Sequence, residues 1–547
     1  MAGQPVMIMG EDAQQLRDRD AQEYNISAAR AVAEAVRTTL GPKGMDKMLV
    51  SSTGDVTVTN DGVTILEEMD IDNPTAQMIV EVAQTQEDEA GDGTTTAVAV
   101  AGELLKQAED LIEQDVHPTT IIRGFTAASE FARAEIEELT TNVDGDEALL
   151  RAVAETAMTG KGAEVNKEVL ADLVVRAVQA VTVEADDGST IVDVGFVESG
   201  TEIGRGVDES ELIHGGVIDK DPVHPDMPTE FDEANVLLTL DPIEAGEAEV
   251  DASVTVTDNS QIDAFLDAEE AELKEKVEFL KDLGVDVVLA QKGIDDVAHH
   301  YLKEAGILAM RRTNKSDIQF LREVLGARVV SDLESATEED LGHGSVHRHE
   351  ETDTFRFEGL AEDSHGVTIM LRGSTSTVID EMERGVEDAL DVVATAAGDG
   401  RLVAGGGAVE VELARRLRDH ADSVEGREQL AIEAFAEALE LVPRTLAENA
   451  GLDAIDALVD LRSAHDDGEV DAGLDVFSGE VVDSIEAGVV EPTTAKQQAI
   501  ASAAEAANLV LKIDDVLDAG EGDDDEGGPG GPGGAPGGMG GGMGGMM

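Results

Sequence analysis

The segment from Gly91 to Thr96 carries the clearest chemical signal in the sequence. Gly91, Asp92 and Gly93 have the pattern of a tight turn, and Thr94, Thr95 and Thr96 open a stretch with helical periodicity. The first amides of a helix lack intrahelical partners, and together with three hydroxyls they can bind a phosphate without any lysine. Asp92 adds the hard carboxylate oxygen that Mg²⁺ prefers. The segment therefore predicts triphosphate chemistry.

A second segment, RTTLGPKGMDKML from Arg37, points the same way. Helical periodicity over residues 21–40 predicts a helix that stops at Gly41-Pro42, where glycine lets backbone approach a ligand closely. No GxxxxGK[ST] motif occurs, which excludes the ordinary phosphate-binding loop, so Lys43 is not interpreted as a phosphate-loop lysine. The residues alone leave the class of ATPase open.

The composition is strongly acidic. The chain has 547 residues, with 118 acidic against 38 basic side chains, a formal charge of −80 and a pI near 4.1. Self-repulsion at this density is relieved by concentrated salt, because the Debye length falls to about 3 Å at 1 M. The acids are dispersed, which indicates a salt-adapted cytoplasmic protein. The absence of a basic patch argues against nucleic-acid and anionic-membrane partners, and there is no cysteine for disulfides or thiolate metal sites.

The elements that must position these motifs fall into a helical part at each end and a different middle. Residues 94–114 and 119–139 are predicted helices, and the segment MLVSSTGDVTVTNDGVTIL from Met48 contains two β-like runs around a turn at Thr53-Gly54-Asp55. Residues from about 214 to 365 alternate helix and apolar strand, which predicts a parallel α/β arrangement. No leader pattern and no apolar run long enough for a membrane span is present.

The last residues, GGPGGPGGAPGGMGGGMGGMM, cannot bury a core, and we expect disorder from 521 to 547. A simple tether and a tail that touches apolar chains through its methionines are equally compatible with this composition.

Seven motifs give the whole chain a family resemblance. RTTLGPKGMDKML, TNDGVTIL, QEDEAGDGTTTAVAVAG, QKGIDD, VEDAL, VAGGGAVE and the GGM tail occur in the order and spacing of the group II chaperonins, the archaeal thermosome family. With its acidity, the chain resembles a thermosome subunit of a halophilic archaeon.

The resemblance implies a multidomain α and α/β chaperonin fold in discontinuous segments. It comprises a mainly helical equatorial ATPase domain, a small intermediate α/β domain, an apical α/β substrate-binding domain with a helical lid protrusion at about 245–276, and the tail. The implied bounds are equatorial 1–143 and 403–520, intermediate 144–213 and 366–402, and apical 214–365.

The resemblance also assigns residue roles, with ATP and Mg²⁺ as cofactors and K⁺ as a further candidate ion. Asp92 would bind Mg²⁺, and Asp61 and Asp388 would orient and activate the attacking water. Because Asp388 lies in the second intermediate segment, closure of that domain would complete the site. The remaining implied nucleotide contacts are Leu40, Gly41, Pro42, Gly93, Thr94, Thr95, Thr96, Lys161, Gly406, Gly407 and Glu491.

The implied function is ATP-dependent enclosure and refolding of unfolded proteins in a stacked double ring with a built-in lid. Partners would be unfolded proteins and other thermosome subunits, without a separate lid co-chaperonin. The sequence leaves two alternatives open. One is an ATP-binding holdase ring without productive hydrolysis, and the other is an unrelated salt-adapted metabolic ATPase.

Overall fold

The computed structural model describes residues 14–51, 54, 56–143, 145–160, 166–184, 190–245, 259–349, 352–359 and 366–518. The glycine- and methionine-rich tail, Lys161 and the first part of the predicted lid protrusion lie outside these residues.

Helices are the main regular element of the described residues. In chain order they are α1 (Asp18–Arg37), α2 (Gly62–Glu68), α3 (Pro74–Ala90), α4 (Thr94–Glu113), α5 (Pro118–Ile136), α6 (Glu147–Met158), α7 (Lys167–Ala180), α8 (Asn259–Asp282), α9 (Asp296–Ala305), α10 (Lys315–Leu325), α11 (Ser376–Asp399), α12 (Ala408–Ala421), α13 (Glu428–Leu439), α14 (Leu441–Asn449), α15 (Ala454–Asp466) and α16 (Thr493–Leu511).

The strands are shorter and form several separate sheets. In chain order they are β1 (Gln14–Arg17), β2 (Lys47–Val50), β3 (Val56–Thr59), β4 (Thr141–Asn142), β5 (Thr182–Glu184), β6 (Thr190–Val192), β7 (Val197–Ile203), β8 (Glu211–His214), β9 (Gly216–Ile218), β10 (Glu230–Thr239), β11 (Val287–Ala290), β12 (Leu308–Arg311), β13 (Val329–Val330), β14 (Gly342–His349), β15 (Thr354–Gly359), β16 (Val367–Gly373), β17 (Arg401–Ala404), β18 (Ala472–Asp475), β19 (Glu480–Asp483), β20 (Val490–Pro492) and β21 (Asp515–Asp518).

The two ends of the chain form a single helical core. Buried side chains between residues 26 and 139 pack against others between residues 403 and 511. Phe125 of α5 and Phe435 of α13 meet edge to face with ring centroids 5.9 Å apart, a favoured aromatic geometry. Strands β1 and β21 also join the two ends as an antiparallel pair. The N- and C-terminal segments are thus one folded unit.

The middle of the chain forms a second core around a seven-stranded sheet. Its order is β12-β11-β10-β14-β15-β9, with β13 paired to β10. The expected parallel α/β arrangement is confirmed for β10, β11, β12 and β13, whereas β14, β15 and β9 are antiparallel. The apolar strand VVLA is fully buried, as a strand between two parallel neighbours requires.

A third core lies between these two. Helices α6, α7 and α11 pack on the three-stranded sheet β7-β16-β8. Val143, Leu402 and Val490 also bury their side chains there, so segments from both ends of the chain contribute to it. The three cores agree with a discontinuous arrangement, while the predicted domain bounds remain a prediction.

One predicted element ends earlier than expected. Helix α1 stops at Arg37, three residues before the predicted end at residue 40. Thr38 and Thr39 are β-branched and favour helices weakly, and the Thr39 hydroxyl donates to the Val36 carbonyl at 2.8 Å. The chain therefore leaves the helix as a turn, which brings Leu40 and Gly41 out of the helical repeat.

Helix α8 begins at Asn259 and contains part of the predicted lid protrusion. No helix of the described ranges is long and apolar enough to span a bilayer.

Close approach of α1 and α4 gives a stability prediction. A Cβ at Gly102 would lie 2.3 Å from the Ala33 Cβ, whereas a Cβ at helical Gly398 would meet open space. We expect Gly102→Ala to destabilise the protein by about 1–3 kcal/mol through overpacking. Gly398→Ala should instead stabilise it by about 0.5–1 kcal/mol, because alanine favours the helix.

The measurement is the denaturant midpoint of unfolding of each variant in molar KCl. A Gly102→Ala midpoint at or above that of the parent would contradict the proposed helix contact.

Candidate functional site

The cavity that collects the predicted residues has a volume of about 450 Å³ and lies where the helical core meets the third core. All the described residues among those predicted line it: Leu40, Gly41, Pro42, Asp61, Asp92, Gly93, Thr94, Thr95, Thr96, Asp388, Gly406, Gly407 and Glu491. Their proximity is a geometric fact, and their individual roles remain predictions.

The start of α4 forms one wall of the cavity. Gly93 adopts a left-handed backbone with φ of 82°, and α4 begins without a side-chain cap. The N-cap residue has no side chain, and the three threonines occupy the first three positions of the helix itself. The buried Gln86 donates from Nε2 to the Asp92 carbonyl at 2.7 Å, which fixes the turn. The arrangement presents unpaired amides and hydroxyls to the cavity, as an anion site requires.

Helix α2 begins beside α4. Its N-cap is Asp61, whose Oδ2 accepts from the Thr64 amide at 2.7 Å. A Cβ at Gly62 would lie only 2.5 Å from the Thr95 hydroxyl oxygen, so the two helix starts are in close contact. One oxygen of Asp61 thus fixes the orientation of the carboxyl group at the cavity wall.

The other glycines of the site allow backbone to approach neighbouring elements. The Gly41 φ is 78°, and a Cβ there would lie 2.2 Å from Leu446 Cδ2. At Gly407, between β17 and α12, a Cβ would lie 2.8 Å from the Pro443 Cβ. A side chain at either position would alter the shape of the cavity.

Asp388 comes to the cavity on α11, a helix of the third core. One turn later on α11, Asp391 lies against Gly91, where a Cβ would be 2.8 Å from the Asp391 Cβ. Burial and the neighbouring Asp388 raise the pKa of Asp391. Acidic groups from distant parts of the sequence are therefore concentrated around this cavity.

The acids do not form a metal cage by themselves. Among the described side chains, no group of three or more His, Asp or Glu residues is arranged to hold a metal ion. Mg²⁺ in nucleotide sites takes one or two carboxylates and completes its octahedral shell with phosphate oxygens and water. Asp92 beside an anion-binding helix start fits that pattern.

Two contacts of the cavity wall were not predicted from the sequence. Lys496 of α16 forms ion pairs with Glu410 and Glu491, and the Lys43 ammonium lies 4.4 Å from the centroid of the Phe477 ring. The ion pairs of Lys496 could have been suspected from the sequence, because a single lysine in the alanine-rich stretch TTAKQQAIASAAEAA indicates a buried charge that needs partners. The second joins a loop and a strand end far apart in sequence, and no local pattern indicates it.

The chain is similar to known chaperonins over nearly its whole length. A model of the TCP-1/cpn60 chaperonin family matches residues 32–521. The chain is 67% identical to thermosome subunit 2 of Haloferax volcanii over 535 residues, with 96% of each chain covered. It is 63% identical to thermosome subunit beta of Halobacterium salinarum over 529 residues, covering 96% of this chain and 95% of the other.

A solved structure shows the same likeness in three dimensions. It is the open-state monomer of a group II chaperonin from Methanococcoides burtonii, 42% identical, with a TM-score of 0.63. The match covers 77% of this chain and 100% of that chain.

The glycine contacts give a prediction for the shape of the cavity. Gly41→Ala should weaken nucleotide binding by about tenfold or more, because its methyl group would displace Leu446 at the cavity wall. Gly451→Ala is the matched control, since Gly451 also has positive φ, 73°, but open space around its Cβ position. Both substitutions carry left-handed backbone strain of about 1 kcal/mol.

Isothermal titration with ADP, together with unfolding midpoints, separates the two effects. Equal nucleotide affinity of the two variants would contradict a role for the Gly41 contact in forming the cavity.

Proposed function

This chain belongs to the TCP-1/cpn60 chaperonin family and, as its thermosome relatives show, is a group II chaperonin, an ATP-dependent molecular chaperone; we propose that its cavity binds and hydrolyses Mg-ATP. The observation that carries the proposal is that Asp61 and Asp92 line one cavity with Asp388, which comes from a different core. Hydrolysis then depends on the relative position of two packed units.

The start of α4 is the proposed phosphate site. Unpaired amides, the threonine hydroxyls and the positive end of the helix dipole all favour a polyphosphate. Asp92 would hold Mg²⁺, which supplies charge neutralisation for phosphoryl transfer when bound. Gln86 donates to the Asp92 carbonyl and so holds the turn that carries this carboxylate.

Asp61 and Asp388 are the proposed pair that orients water. Asp61 is fixed by the Thr64 amide, whereas Asp388 is carried by α11, whose apolar side chains pack in the third core. A shift of the third core relative to the helical core would carry Asp388 towards or away from Asp61. Hydrolysis would thereby be coupled to domain closure.

Lys161 remains a proposed nucleotide-sensing residue, although it lies outside the described part of the chain. The residue before it supports the proposal: Asn60 donates to the Gly160 carbonyl at 3.0 Å, and Gly160 packs against Pro42. Asn60 and Pro42 both line the cavity.

Thermosome relatives imply oligomeric rings and protein clients, and we propose a stacked double ring that encloses unfolded proteins in the cytoplasm beneath a built-in lid. A holdase without hydrolysis is not favoured, because family members are ATPases. Membership of the chaperonin family also rules out the alternative that the chain is an unrelated metabolic ATPase.

A hairpin of the helical core supports subunit assembly. Strands β2 and β3 pair Met48 with Val58 and Val50 with Val56, and these four side chains on one face are 47–70% exposed. Leu49, on the opposite face, packs against the helical core. An exposed apolar face on so acidic a chain is typical of a protein–protein contact, and we propose that a neighbouring subunit of the ring covers it.

The catalytic proposal is tested with Asp388→Ala. We expect the steady-state rate of ATP hydrolysis in molar KCl to fall by about 100-fold or more, since a positioned acid–base group contributes 10²–10⁴-fold. ATP affinity should remain within about threefold of the parent. Asp380→Ala, at an exposed position of the same helix, is the control and should retain parental turnover.

Parental turnover in Asp388→Ala would remove Asp388 from the mechanism. If Asp380→Ala lost as much ATP hydrolysis as Asp388→Ala, the loss would reflect a general sensitivity of α11 to substitution. The proposed role of Asp388 in coupling closure to hydrolysis would then fail.

The assembly proposal is tested by placing a charge on the hairpin face. Met48→Glu should convert the high-molecular-weight particle into smaller species on gel filtration in molar KCl, because it buries a carboxylate in an apolar contact. Ile203→Glu, at a similarly exposed apolar position on another sheet, should leave the particle intact. An intact Met48→Glu particle would place the subunit contact elsewhere.

A further inference from the structure

His465 is a buried ionisable residue that the proposed hydrolytic mechanism does not use. It lies in the last turn of α15, and its side chain is fully buried. Its Nδ1 lies 3.1 Å from Glu412 Oε2, and its Nε2 lies 2.9 Å from the Ala472 carbonyl oxygen. Both ring nitrogens thus lie within hydrogen-bond distance of an oxygen atom, one on α12 and the other on β18.

The two partners of His465 are both hydrogen-bond acceptors. Burial raises the pKa of Glu412, but hydrogen bonds from His465 and from two neighbouring guanidinium groups outweigh burial and lower it, so the side chain is a carboxylate. The guanidinium groups belong to Arg415 and Arg416. A carboxylate and a backbone carbonyl only accept, and a neutral imidazole has a single N–H. The two contacts together therefore require the doubly protonated imidazolium form of His465.

This imidazolium joins two elements that contribute to the nucleotide cavity. Glu412 lies in the second turn of α12, directly after the glycine turn 405–407. Ala472 is the first residue of β18, and two residues later the Leu474 amide donates to the Gly406 carbonyl at 2.9 Å. Both the glycine turn and β18 line the cavity. His465 thus closes a ring of contacts that runs from the glycine turn through α12 to β18 and back to the turn.

Little space separates β18 from the glycine turn. A Cβ at Gly473 would lie 2.6 Å from the Gly405 carbonyl oxygen, and a Cβ at Gly406 would lie 3.0 Å from the Leu474 carbonyl oxygen. Backbone packed this closely has no room to shift without moving its neighbour. A change in how β18 is held would therefore change the lining of the cavity on this side.

We propose that His465, as an imidazolium, is a positioning residue for nucleotide binding that holds β18 against the glycine turn. The inference rests on the proposed nucleotide function of the same cavity. His465 is not among the residues that line the cavity, and it acts through the backbone of β18. When the pH rises and the ring loses one proton, one of its two acceptors faces a lone pair instead of an N–H. The strand is then held less firmly, and nucleotide affinity falls.

Charged and titratable groups surround His465 on each element packed against α15. They are Glu412, Arg415 and Arg416 on α12, Asp471 and Asp483 at the β18–β19 hairpin, Arg462 and Asp466 on α15, and Arg444 and Glu448 on α14. Those of α14 are engaged elsewhere, since Arg444 donates to the Glu440 carbonyl and Glu448 pairs with Arg37. Burial and Asp483 raise the pKa of Asp471, whereas His465 lowers it. The Asp471 carboxylate and the imidazolium therefore stabilise each other's charged form.

The test is equilibrium binding of ADP to the assembled full-length protein in molar KCl, between about pH 6 and about pH 9. Each variant's affinity is divided by that of the parent at the same pH, so that titration of the ADP phosphates and of the cavity acids cancels. His465→Gln is uncharged and carries its donors on one nitrogen. We expect it to bind ADP about fivefold or more weakly than the parent at the lower pH, with the difference closing as the pH rises.

Two further variants control for the loss of the ring. His465→Lys keeps a positive charge across this range and can donate to both oxygens, so it should approach parental affinity at the lower pH and exceed it at the higher. His420→Gln alters a histidine of the same core that stacks on Phe131 and does not line the cavity. Its affinity ratio should stay near one at every pH.

Turnover separates positioning from a structural role. At saturating ATP, hydrolysis by His465→Gln should stay within about threefold of the parent, because the proposed role concerns binding and not the acids that act on water. Reduced turnover with unchanged ADP affinity would assign His465 a structural role and overturn positioning. Should His465→Gln fail to fold, the parent and His465→Lys decide, since identical pH profiles of these two proteins would also overturn it.

The outcomes distinguish this inference from the proposed function. A parent that binds ADP at no pH would overturn the nucleotide proposal itself. A parent that binds ADP, with a constant affinity ratio to His465→Gln across the pH range, would overturn only the role of His465. The same pH-dependent ratio in His420→Gln would likewise overturn that role and leave nucleotide binding in place.

Discussion

The packing of the two chain ends into one helical core is the interaction on which the rest of the structure depends. Helix α4 packs between α1 and α16, which lie at opposite ends of the chain, and the Gly102–Ala33 approach shows how closely these helices pack. The cavity is built on this core, because the start of α4, the glycines before α12 and Glu491 all belong to segments that it joins. If the two chain ends did not pack together, the residues proposed to bind the nucleotide would not line one cavity.

The acidic composition limits how charge can be buried in that core. Glu440 is buried between Arg418 and Arg462, and although burial raises its pKa, the two guanidinium groups outweigh burial and lower it. Glu412 is paired in the same way with Arg415 and Arg416. These two buried carboxylates are thus each paired with arginines, although basic residues are few in this chain. The repulsion among the acids at the surface is instead screened by salt. Lys496 is a different case, since its one ammonium group is shared by two carboxylates, those of Glu410 and Glu491.

The third core contains residues from both ends of the chain as well as from the segments that flank its middle part. Leu402 and Val490, which flank segments of the cavity, bury their side chains against α6, α7 and α11. Under the proposed mechanism, Asp388 on α11 moves with this core, whereas Asp61 and Asp92 remain with the helical core. The same packing that forms the cavity therefore offers a way to link domain movement to hydrolysis.

The sequence by itself determined the local features of this protein. The glycine turn before α4, the parallel strands of the middle sheet and the family motifs follow from residue type and short-range spacing, which act over a few residues. The resemblance assigned distant residues to one site, whereas only the tertiary structure decided the contacts that no motif indicates. Lys496 and Glu410 lie 86 positions apart, and Lys43 meets Phe477 across most of the chain. A pairing of this kind depends on how whole helices pack, and no local pattern of residues encodes it.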